Sequence, residues 1–242
     1  MPPVEIRRHV EPSTVSMQPR LHEFVATASH ELRTPLTSLQ ATLELLEEEA
    51  LSGAAHTAQT VVYVEMALRQ TRRLIRVATD LLDVSRLDGD APLALDRIEV
   101  SELAQVVQRE FAARLMAGGR RLRVEDTPAV ALADPVAVAR ILGILLDNAA
   151  AYGAGTVTVA LSTDGERVRV AVVDEGPGIA PQEREHIFGQ FVRGSAAAGA
   201  AAGTGLGLSI ARGLARSMGG ELEAASVPRG ARFVLTLREG DA

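Results

Sequence analysis

The chain has 242 residues, of which 47% are hydrophobic and 23% charged, and its formal net charge is -6. This acidic balance offers no basic face for a phosphate backbone, and the absence of cysteine excludes disulfides, thiol nucleophiles and cysteine-ligated zinc. No run approaches the roughly 18 apolar residues of a membrane helix and no signal peptide is recognisable. We therefore expect no nucleic-acid partner, no membrane segment in this chain, and a cytoplasmic location.

The first half of the chain predicts two long helices. Residues 1–17 contain three prolines and no apolar period, which is typical of a tail or linker. Apolar residues then recur every three or four positions, which indicates one face of a helix. They are Phe24, Ala28, Leu32, Leu36, Leu39, Leu43 and Leu46, and, after a break near Gly53, Val61, Val64, Leu68, Thr71, Ile75, Ala78 and Leu82.

These two helices predict an antiparallel hairpin over residues 18–91. Such a hairpin has one broad apolar stripe and nothing within itself to cover it. Pairing with a second copy in a four-helix bundle would cover the stripe. We therefore expect a homodimer. The stretch "RLDGDAPLAL", residues 86–95, contains Gly89 and Pro92 and is interpreted as a hinge.

Residues 92–242 change to alternating strands and helices, which predicts an α/β layer domain. We expect a helix from about Ser101, strands at 121–124 and 130–132, and a helix from Asp134 to Tyr152 that Asp134 caps. The stretch "TVTVALSTDGERVRVAVVDE" predicts a β-hairpin around Asp164 and Gly165. A helix to about Met218 and two strands, 222–226 and 232–237, complete the domain.

His30 is the first candidate for chemistry. It lies two positions from the apolar residues Ala28 and Leu32, so at about 100° per residue it should point to solvent. Glu31 can accept a hydrogen bond from one imidazole nitrogen and leave the other as a nucleophile. Pro35 cannot bond the carbonyl of Glu31, so the helix should bend after the histidine. A lone histidine is, however, more often an ordinary side chain.

Two glycine-rich stretches and one asparagine indicate a phosphate site. Taken alone, "DEGPGI", with Asp174 at a strand end, is as readily a turn. In "GTGLGL", three glycines open a helix whose free N–H groups and positive dipole end favour an anion, although a flexible loop is the alternative. Asn148 in "ILLDNAAAYG" offers an amide oxygen to Mg²⁺, or a purely structural hydrogen bond.

Taken together and in order, these stretches resemble the sensor histidine kinases. "ASHELRTPLTSL" is similar to their phosphoacceptor box, "LLDNAAAY" to the asparagine box, "VVDEGPGI" and "GTGLGLSIA" to the two glycine boxes, and "IFGQFVRG" to the phenylalanine box. The resemblance covers residues 21 to about 237. It implies a dimerisation and phosphotransfer hairpin followed by a two-layer α/β sandwich that binds ATP, of the GHKL superfamily.

The resemblance also implies a role for each matching residue. His30 would be phosphorylated with Glu31 as its acid/base partner, and Thr34 would orient a water for dephosphorylating a response regulator. Asn148 would bind Mg²⁺, and Arg193 would lie near the γ-phosphate of ATP. The implied nucleotide-binding residues are Asn148, Tyr152, Asp174, Gly176, Gly178, Gly203, Gly205, Gly207 and Leu208. Phe188 and Phe191 would anchor a mobile lid.

Two positions depart from the family pattern. Ile144 stands where an asparagine is expected and Ala151 where a lysine is usual, and both expected residues help to hold phosphates. Two alternatives to a kinase stay open. One is a GHKL ATPase of the chaperone or mismatch-repair type, and the other is a kinase-weak or non-catalytic dimeric phosphatase or scaffold for a response regulator. Family members often carry a membrane sensor upstream, so this chain could be the cytoplasmic portion of a longer protein.

Overall fold

The computed structural model describes residues 17–51, 58–87, 93–125, 127–194 and 203–240, with side chains from residue 25 onward. The chain divides into two compact units between Ala78 and Thr79, a position inside the second helix. The predicted N-terminal tail, the hinge residues Gly89 and Pro92, and most of the lid lie outside the described residues. The predicted domain boundary at residue 91 stays a prediction.

The first unit is built from two long helices, as the apolar periodicity predicts. Helix α1 spans Met17–Leu51 and helix α2 spans Ala58–Leu87, and the end of α2 from Thr79 belongs to the second unit. From residue 25 to the end of α1, the buried residues are Ala28, Pro35 and Thr42, which recur every seven residues. Thr42 is tolerated there because its hydroxyl donates to the carbonyl oxygen of Ser38 at 2.8 Å.

Helix α2 carries apolar residues on more than one face. The positions that the sequence pattern singled out are exposed in the chain alone, at 60% for Val61, 47% for Leu68 and 60% for Ile75. On the other side, Val77 and Val84 are buried. The predicted stripe is thus not the buried face of α2, and it remains an open apolar surface.

The second unit is a mixed five-stranded sheet covered by helices. The strands are β1 Asp96–Glu99, β2 Arg121–Val124, β3 Val130–Ala133, β4 Thr156–Thr163, β5 Arg167–Val173, β6 Glu221–Ala225 and β7 Arg232–Arg238, and the helices are α3 Val100–Ala117, α4 Pro135–Tyr152 and α5 Gly207–Ser217. The strand order in the five-stranded sheet is β2-β4-β5-β7-β6, with β2 and β4 parallel and the other pairs antiparallel. A separate pair, β1 and β3, is antiparallel.

Local chemistry explains these elements. Asp134 caps α4 by accepting hydrogen bonds from the N–H groups of Val136 and Ala137 at 2.8 and 3.1 Å, and Pro135 occupies the first helical position. Gly165 turns the chain between β4 and β5 with φ of +89°. Strand β1 is an element that the sequence analysis missed, because its four residues show no alternation.

Helix α4 is the centre of the second unit. It packs against α3, α5 and β5, and eight of its residues are buried. Contrary to our expectation, this 18-residue helix is apolar and long enough to cross a membrane, and among the described residues it alone meets that test. Its burial against the sheet and two helices identifies it as a core helix.

Candidate functional site

His30 lies in the middle of α1 and is exposed, as its position relative to the apolar residues predicts. Thr34, one turn later, is also exposed, and its hydroxyl donates to the carbonyl oxygen of His30 at 3.2 Å. The imidazole is therefore accessible from solvent. Pro35 is buried and α1 continues through it without interruption, so the proposed bend stays a prediction.

Glu31 has a partner that the sequence analysis did not identify. Arg73 of α2 donates from Nη2 to Oε2 of Glu31 at 3.2 Å, and the two side chains are 30% and 26% exposed. The residues are 42 positions apart, so only the packing of the two helices brings them together. The ion pair restrains the carboxylate of the residue that follows the exposed histidine.

Asp174 follows the end of β5 and is 8% exposed. Its Oδ1 accepts from the N–H of Gly176 at 2.7 Å, and its own N–H donates to the carbonyl of Ala231 at 3.0 Å. Burial raises the pKa of Asp174 above its usual value, while hydrogen bonds from the backbone and the charge of Arg120 act in the opposite direction. A poorly solvated carboxylate of this kind is suited to accept a hydrogen bond from a ligand.

The glycines around Asp174 leave room for close backbone approach. A Cβ on Gly176 would lie 2.8 Å from Oδ1 of Asp174 and 2.9 Å from the carbonyl oxygen of Tyr152. The loop after Asp174 is thus pressed against the end of α4. Gly178 has φ of +81°, and a Cβ there would lie 2.6 Å from the carbonyl oxygen of Gly230.

The second glycine stretch lies against the same end of the unit. A Cβ on Gly203 would meet the hydroxyl of Tyr152 at 3.5 Å, and one on Gly205 would lie 2.7 Å from the backbone carbon of Phe191. Phe191 itself has φ of +60°, which is rare for a residue with a side chain. The structure therefore brings Tyr152, Asp174, Gly176, Gly203 and Gly205 to one region.

Helix α5 begins at Gly207, and its N-cap residue, Leu206, makes no side-chain capping hydrogen bond. Its N–H groups and its positive dipole end are suited to bind an anion. Thr204, just before the helix, accepts from the N–H of Leu206 at 3.2 Å. Leu208 lies in the first turn and is half-buried. The backbone N–H groups of the glycine loop and of this helix end are suited to bind phosphate oxygens.

Ile144, one of the two departures from the family pattern, packs against the start of α5. Ile144 is 6% exposed, and its Cγ2 lies 3.2 Å from where a Cβ on Gly207 would be, so it packs beneath the start of α5. Asn148, one turn later, is half-buried, and Ala151 is exposed. Among the described residues, no group of three or more histidine, aspartate or glutamate side chains forms a metal site.

Phe188 is buried and its ring is held on two sides. It packs edge to face against Phe233 with ring centroids 6.4 Å apart, and the guanidinium carbon of Arg212 lies 4.7 Å from its centroid. Phe188 is therefore anchored in the core of the second unit. Arg193, five residues later, is exposed.

A charged cluster next to the glycine loop was also missed by the sequence analysis. Arg140 of α4 donates to Asp80 at 2.6 Å and to Asp83 at 2.8 Å, both on the last turns of α2. Thr204 donates from its hydroxyl to Asp80 at 3.1 Å. Burial raises the pKa of Asp80, while the charge of Arg140 and the hydrogen bonds from Thr204 and Arg140 oppose the rise.

Comparison with known protein families assigns both halves of the chain. Residues 20–90 match the His Kinase A (phospho-acceptor) domain. Residues 133–241 match the domain described as histidine kinase-, DNA gyrase B-, and HSP90-like ATPase.

Individual relatives agree with these domains. The chain is 38% identical over 223 residues to the signal transduction histidine-protein kinase AfsQ2 of Streptomyces coelicolor, covering 89% of this chain and 41% of that protein. It is 34% identical over 209 residues to the sensor histidine kinase QseE of Escherichia coli O157:H7, covering 85% and 44%. The chain thus spans about two fifths of the length of these curated relatives.

Solved structures share the fold. The full-length structure of ShkA in complex with AMPPNP matches with a TM-score of 0.65 and 31% identity, over 91% of this chain and 46% of that one. The histidine kinase AdeS of Acinetobacter baumannii matches with a TM-score of 0.67 and 24% identity, over 88% and 98%. The predicted helical hairpin followed by an α/β domain is confirmed.

Proposed function

The chain belongs to the sensor histidine kinases of two-component systems, and on this basis we propose that it is an ATP-dependent protein histidine kinase. In this proposal the chain phosphorylates its own His30 and passes the phosphoryl group to an aspartate of a response regulator. It works in the cytoplasm, where ATP and the regulator are found, as the cytoplasmic portion of a sensor protein.

The observation that carries the proposal is the arrangement of the glycine loop and Asp174 in the second unit. Gly203 and Gly205 lie against Tyr152 and Phe191, at the uncapped start of α5, and buried Asp174 lies near the backbone of Tyr152. A carboxylate acceptor beside a row of backbone donors matches adenine at one end of a nucleotide and phosphates at the other. Asp174 accepts from the adenine amino group, and the glycine loop with Leu208 binds the phosphates.

Magnesium completes the site in this proposal. Asn148 offers one amide oxygen, and Mg²⁺ commonly takes its remaining ligands from phosphates and water. A bound Mg²⁺ would neutralise negative charge on the phosphates. Ile144 and Ala151 contribute no polar group to the phosphates. In this proposal the exposed Arg193 and the glycine loop therefore bind the γ-phosphate without them.

The first unit supplies His30, which accepts the phosphoryl group. An imidazole nitrogen of His30 attacks the γ-phosphorus, the bond from that phosphorus to the β-phosphate oxygen breaks, and ADP leaves. Glu31, restrained by Arg73, accepts the hydrogen bond of the second imidazole nitrogen and stabilises the positive charge that develops. Positioning and charge neutralisation provide most of the catalysis of phosphoryl transfer, so few catalytic side chains are needed.

The first unit also supports a homodimer. Val61, Leu68 and Ile75 expose about half or more of their surface on one face of α2. A second copy that places the same face against this one would bury those side chains in a four-helix bundle.

A second candidate function is a kinase-weak phosphatase or scaffold for a response regulator. The burial of Ile144 under α5 and the exposed Ala151 favour it, because both positions lack the polar groups that normally hold phosphates. In this function Thr34 orients the water that dephosphorylates the regulator. Loss of phosphatase activity in Thr34→Ala, with the regulator still bound, would support this role.

The decisive experiment is autophosphorylation with γ-labelled ATP. We expect the wild-type chain to gain label that is labile in acid and stable in alkali, as a phosphohistidine is. His30→Gln should lose it, and Asn148→Ala should lose it together with nucleotide binding. His22→Gln, which changes a histidine two turns earlier on the same helix, is the matched control and should keep the label.

Three other results would redirect the assignment. Label in His30→Gln would contradict the acceptor, and ATP hydrolysis without any label would favour an ATPase. Nucleotide binding with neither label nor hydrolysis, together with dephosphorylation of a phosphorylated regulator, would favour the second candidate.

A further inference from the structure

The turn between β6 and β7 presses on the backbone that carries Asp174. A Cβ built on Gly230 would lie 1.7 Å from the carbonyl oxygen of Asp174, 2.6 Å from its carbonyl carbon and 2.9 Å from Cα of Glu175. None of these atoms belongs to a flexible side chain that could move aside. Any side chain at position 230 therefore requires a shift of the Asp174 backbone or of the turn itself.

The same turn touches the Asp174 loop at two further points. The N–H of Asp174 donates to the carbonyl of Ala231 at 3.0 Å, and a Cβ on Gly178 would lie 2.6 Å from the carbonyl oxygen of Gly230. The turn thus holds both the beginning and the end of the segment from Asp174 to Gly178. Within that segment, Gly176 donates to the Asp174 carboxylate at 2.7 Å.

This packing determines where the carboxylate points. Asp174 is 8% exposed and its Oδ1 accepts from the N–H of Gly176, so little water is available to replace a misplaced hydrogen bond, and a shift of the backbone at residue 174 also shifts the carboxylate. A carboxylate accepts from the amino group of adenine. In guanine the corresponding position carries an oxygen, which the carboxylate repels. A displaced carboxylate loses the hydrogen bond from adenine and also repels the guanine oxygen less strongly, so the site discriminates less between the two bases.

We propose that Gly230 is a positioning residue for the Asp174 carboxylate, and that through it the β6–β7 turn determines the selectivity of the site for adenine nucleotides. The inference rests on the proposed function, because it concerns the base end of the nucleotide site. The atoms nearest to a Cβ on Gly230 belong to the backbone of Asp174 and Glu175, so in this proposal Gly230 acts through that backbone and not on the nucleotide.

The test compares two glycine substitutions in the full chain. Gly230→Ala places a methyl group against Asp174. Gly165→Ala is the matched control, because Gly165 lies in the β4–β5 turn of the same sheet with φ of +89°, close to the +79° of Gly230, and a Cβ there meets nothing within 4 Å. Both variants carry the same positive-φ strain, and only one contacts the Asp174 backbone.

The readouts are the dissociation constants of ATP, GTP and inorganic tripolyphosphate. Losing one hydrogen bond to a charged group corresponds to a loss of affinity of about tenfold or more. We expect Gly230→Ala to raise the dissociation constant of ATP by about tenfold or more. The ATP and GTP dissociation constants should move closer together, and tripolyphosphate binding should be unchanged. Gly165→Ala should match the wild type for all three ligands.

Failure of this inference differs from failure of the proposed function. If the wild-type chain binds no ATP, both are overturned. If it binds ATP and Gly230→Ala keeps the ATP constant and the ratio of ATP to GTP of Gly165→Ala, the positioning role is wrong and the nucleotide site stands. If Gly230→Ala does not fold, Gly178→Ala crowds the same turn from the other side, because a Cβ there would lie 2.6 Å from the carbonyl oxygen of Gly230, and it is judged by the same ratio.

Discussion

Replacing Arg140 with leucine tests how the end of α2 is held in the second unit. The guanidinium bridges Asp80 and Asp83 at 2.6 and 2.8 Å, and the carboxylate side chains are 13% and 15% exposed. Leucine fills similar space and provides no hydrogen bond. Arg140→Leu therefore leaves two poorly solvated carboxylates near each other without a cation.

The expected loss can be estimated from these contacts. A hydrogen bond to a charged group contributes about 1.5–3 kcal/mol, so two such bonds contribute about 3–6 kcal/mol. The Arg140 side chain is 30% exposed, so water screens part of this energy and the lower end, about 3 kcal/mol, is the better figure. For a unit of this size that corresponds to a fall in Tm of about 6–12 °C.

The pH dependence has a definite sign. The folded-state pKa of Asp80 is raised by burial, and Arg140 opposes that rise, so its removal raises the pKa further. An aspartate with a raised folded pKa loses stability as pH rises from its ordinary value near 3.8 through the folded pKa. The deficit of Arg140→Leu should therefore be large near neutral pH and shrink as the pH approaches about 4.

Calorimetry of the full chain at two pH values provides the assay. Arg169→Leu is the matched control, because its pair with Asp164, at 2.7 Å, has side chains 43% and 45% exposed and is screened by water, so its loss should change the stability little. A deficit for Arg140→Leu no larger than that of the control would refute the reasoning, and so would a deficit independent of pH.

Three further predictions concern the site. Arg73→Gln removes the 3.2 Å hydrogen bond to Glu31 and should slow autophosphorylation by about tenfold with KM for ATP unchanged. The control Arg69→Gln, which removes an exposed ion pair with Glu65 on the same helix, should keep the wild-type rate. Equal autophosphorylation rates in the two variants would contradict this prediction. Asp174→Asn should abolish ATP binding, which nucleotide titration checks. Because burial disfavours the ionised carboxylate and raises the pKa of Asp174, the same variant should stabilise the second unit near neutral pH and not near pH 4, which calorimetry checks. Pro35→Ala removes a helix-interior penalty of about 3 kcal/mol and should change the ratio of kinase to phosphatase rates; two unchanged rates would disprove the proposed role of the proline.

The sequence predicted most elements because their signals are local. The strand Arg121–Val124 and the cap at Asp134 are as predicted, since alternation and capping depend on a few neighbouring residues. Strand β1 was missed because it exists by pairing with β3, which lies about 34 residues away. Pattern alone also could not tell which apolar face of α2 is buried, because both faces repeat at helical spacing.

The site residues that the sequence missed depend on tertiary contacts. Arg140 lies 57 and 60 positions from its two partners, and Arg73 lies 42 positions from Glu31. Gly230, in the stretch "VPRGAR", resembles any turn glycine, and only the approach of the Asp174 backbone distinguishes it. Long-range contacts of this kind leave no periodic trace in one sequence.

The open apolar face of α2 links the proposed homodimer to the stability of the first unit. In that dimer a second copy would remove the exposed surfaces of Val61, Leu68 and Ile75 from water, so dilution would destabilise the hairpin and a higher protein concentration would stabilise it. The melting temperature of the hairpin should rise with the amount of protein in the cell of the calorimeter, while the nucleotide-binding half melts at a temperature set by its own interior.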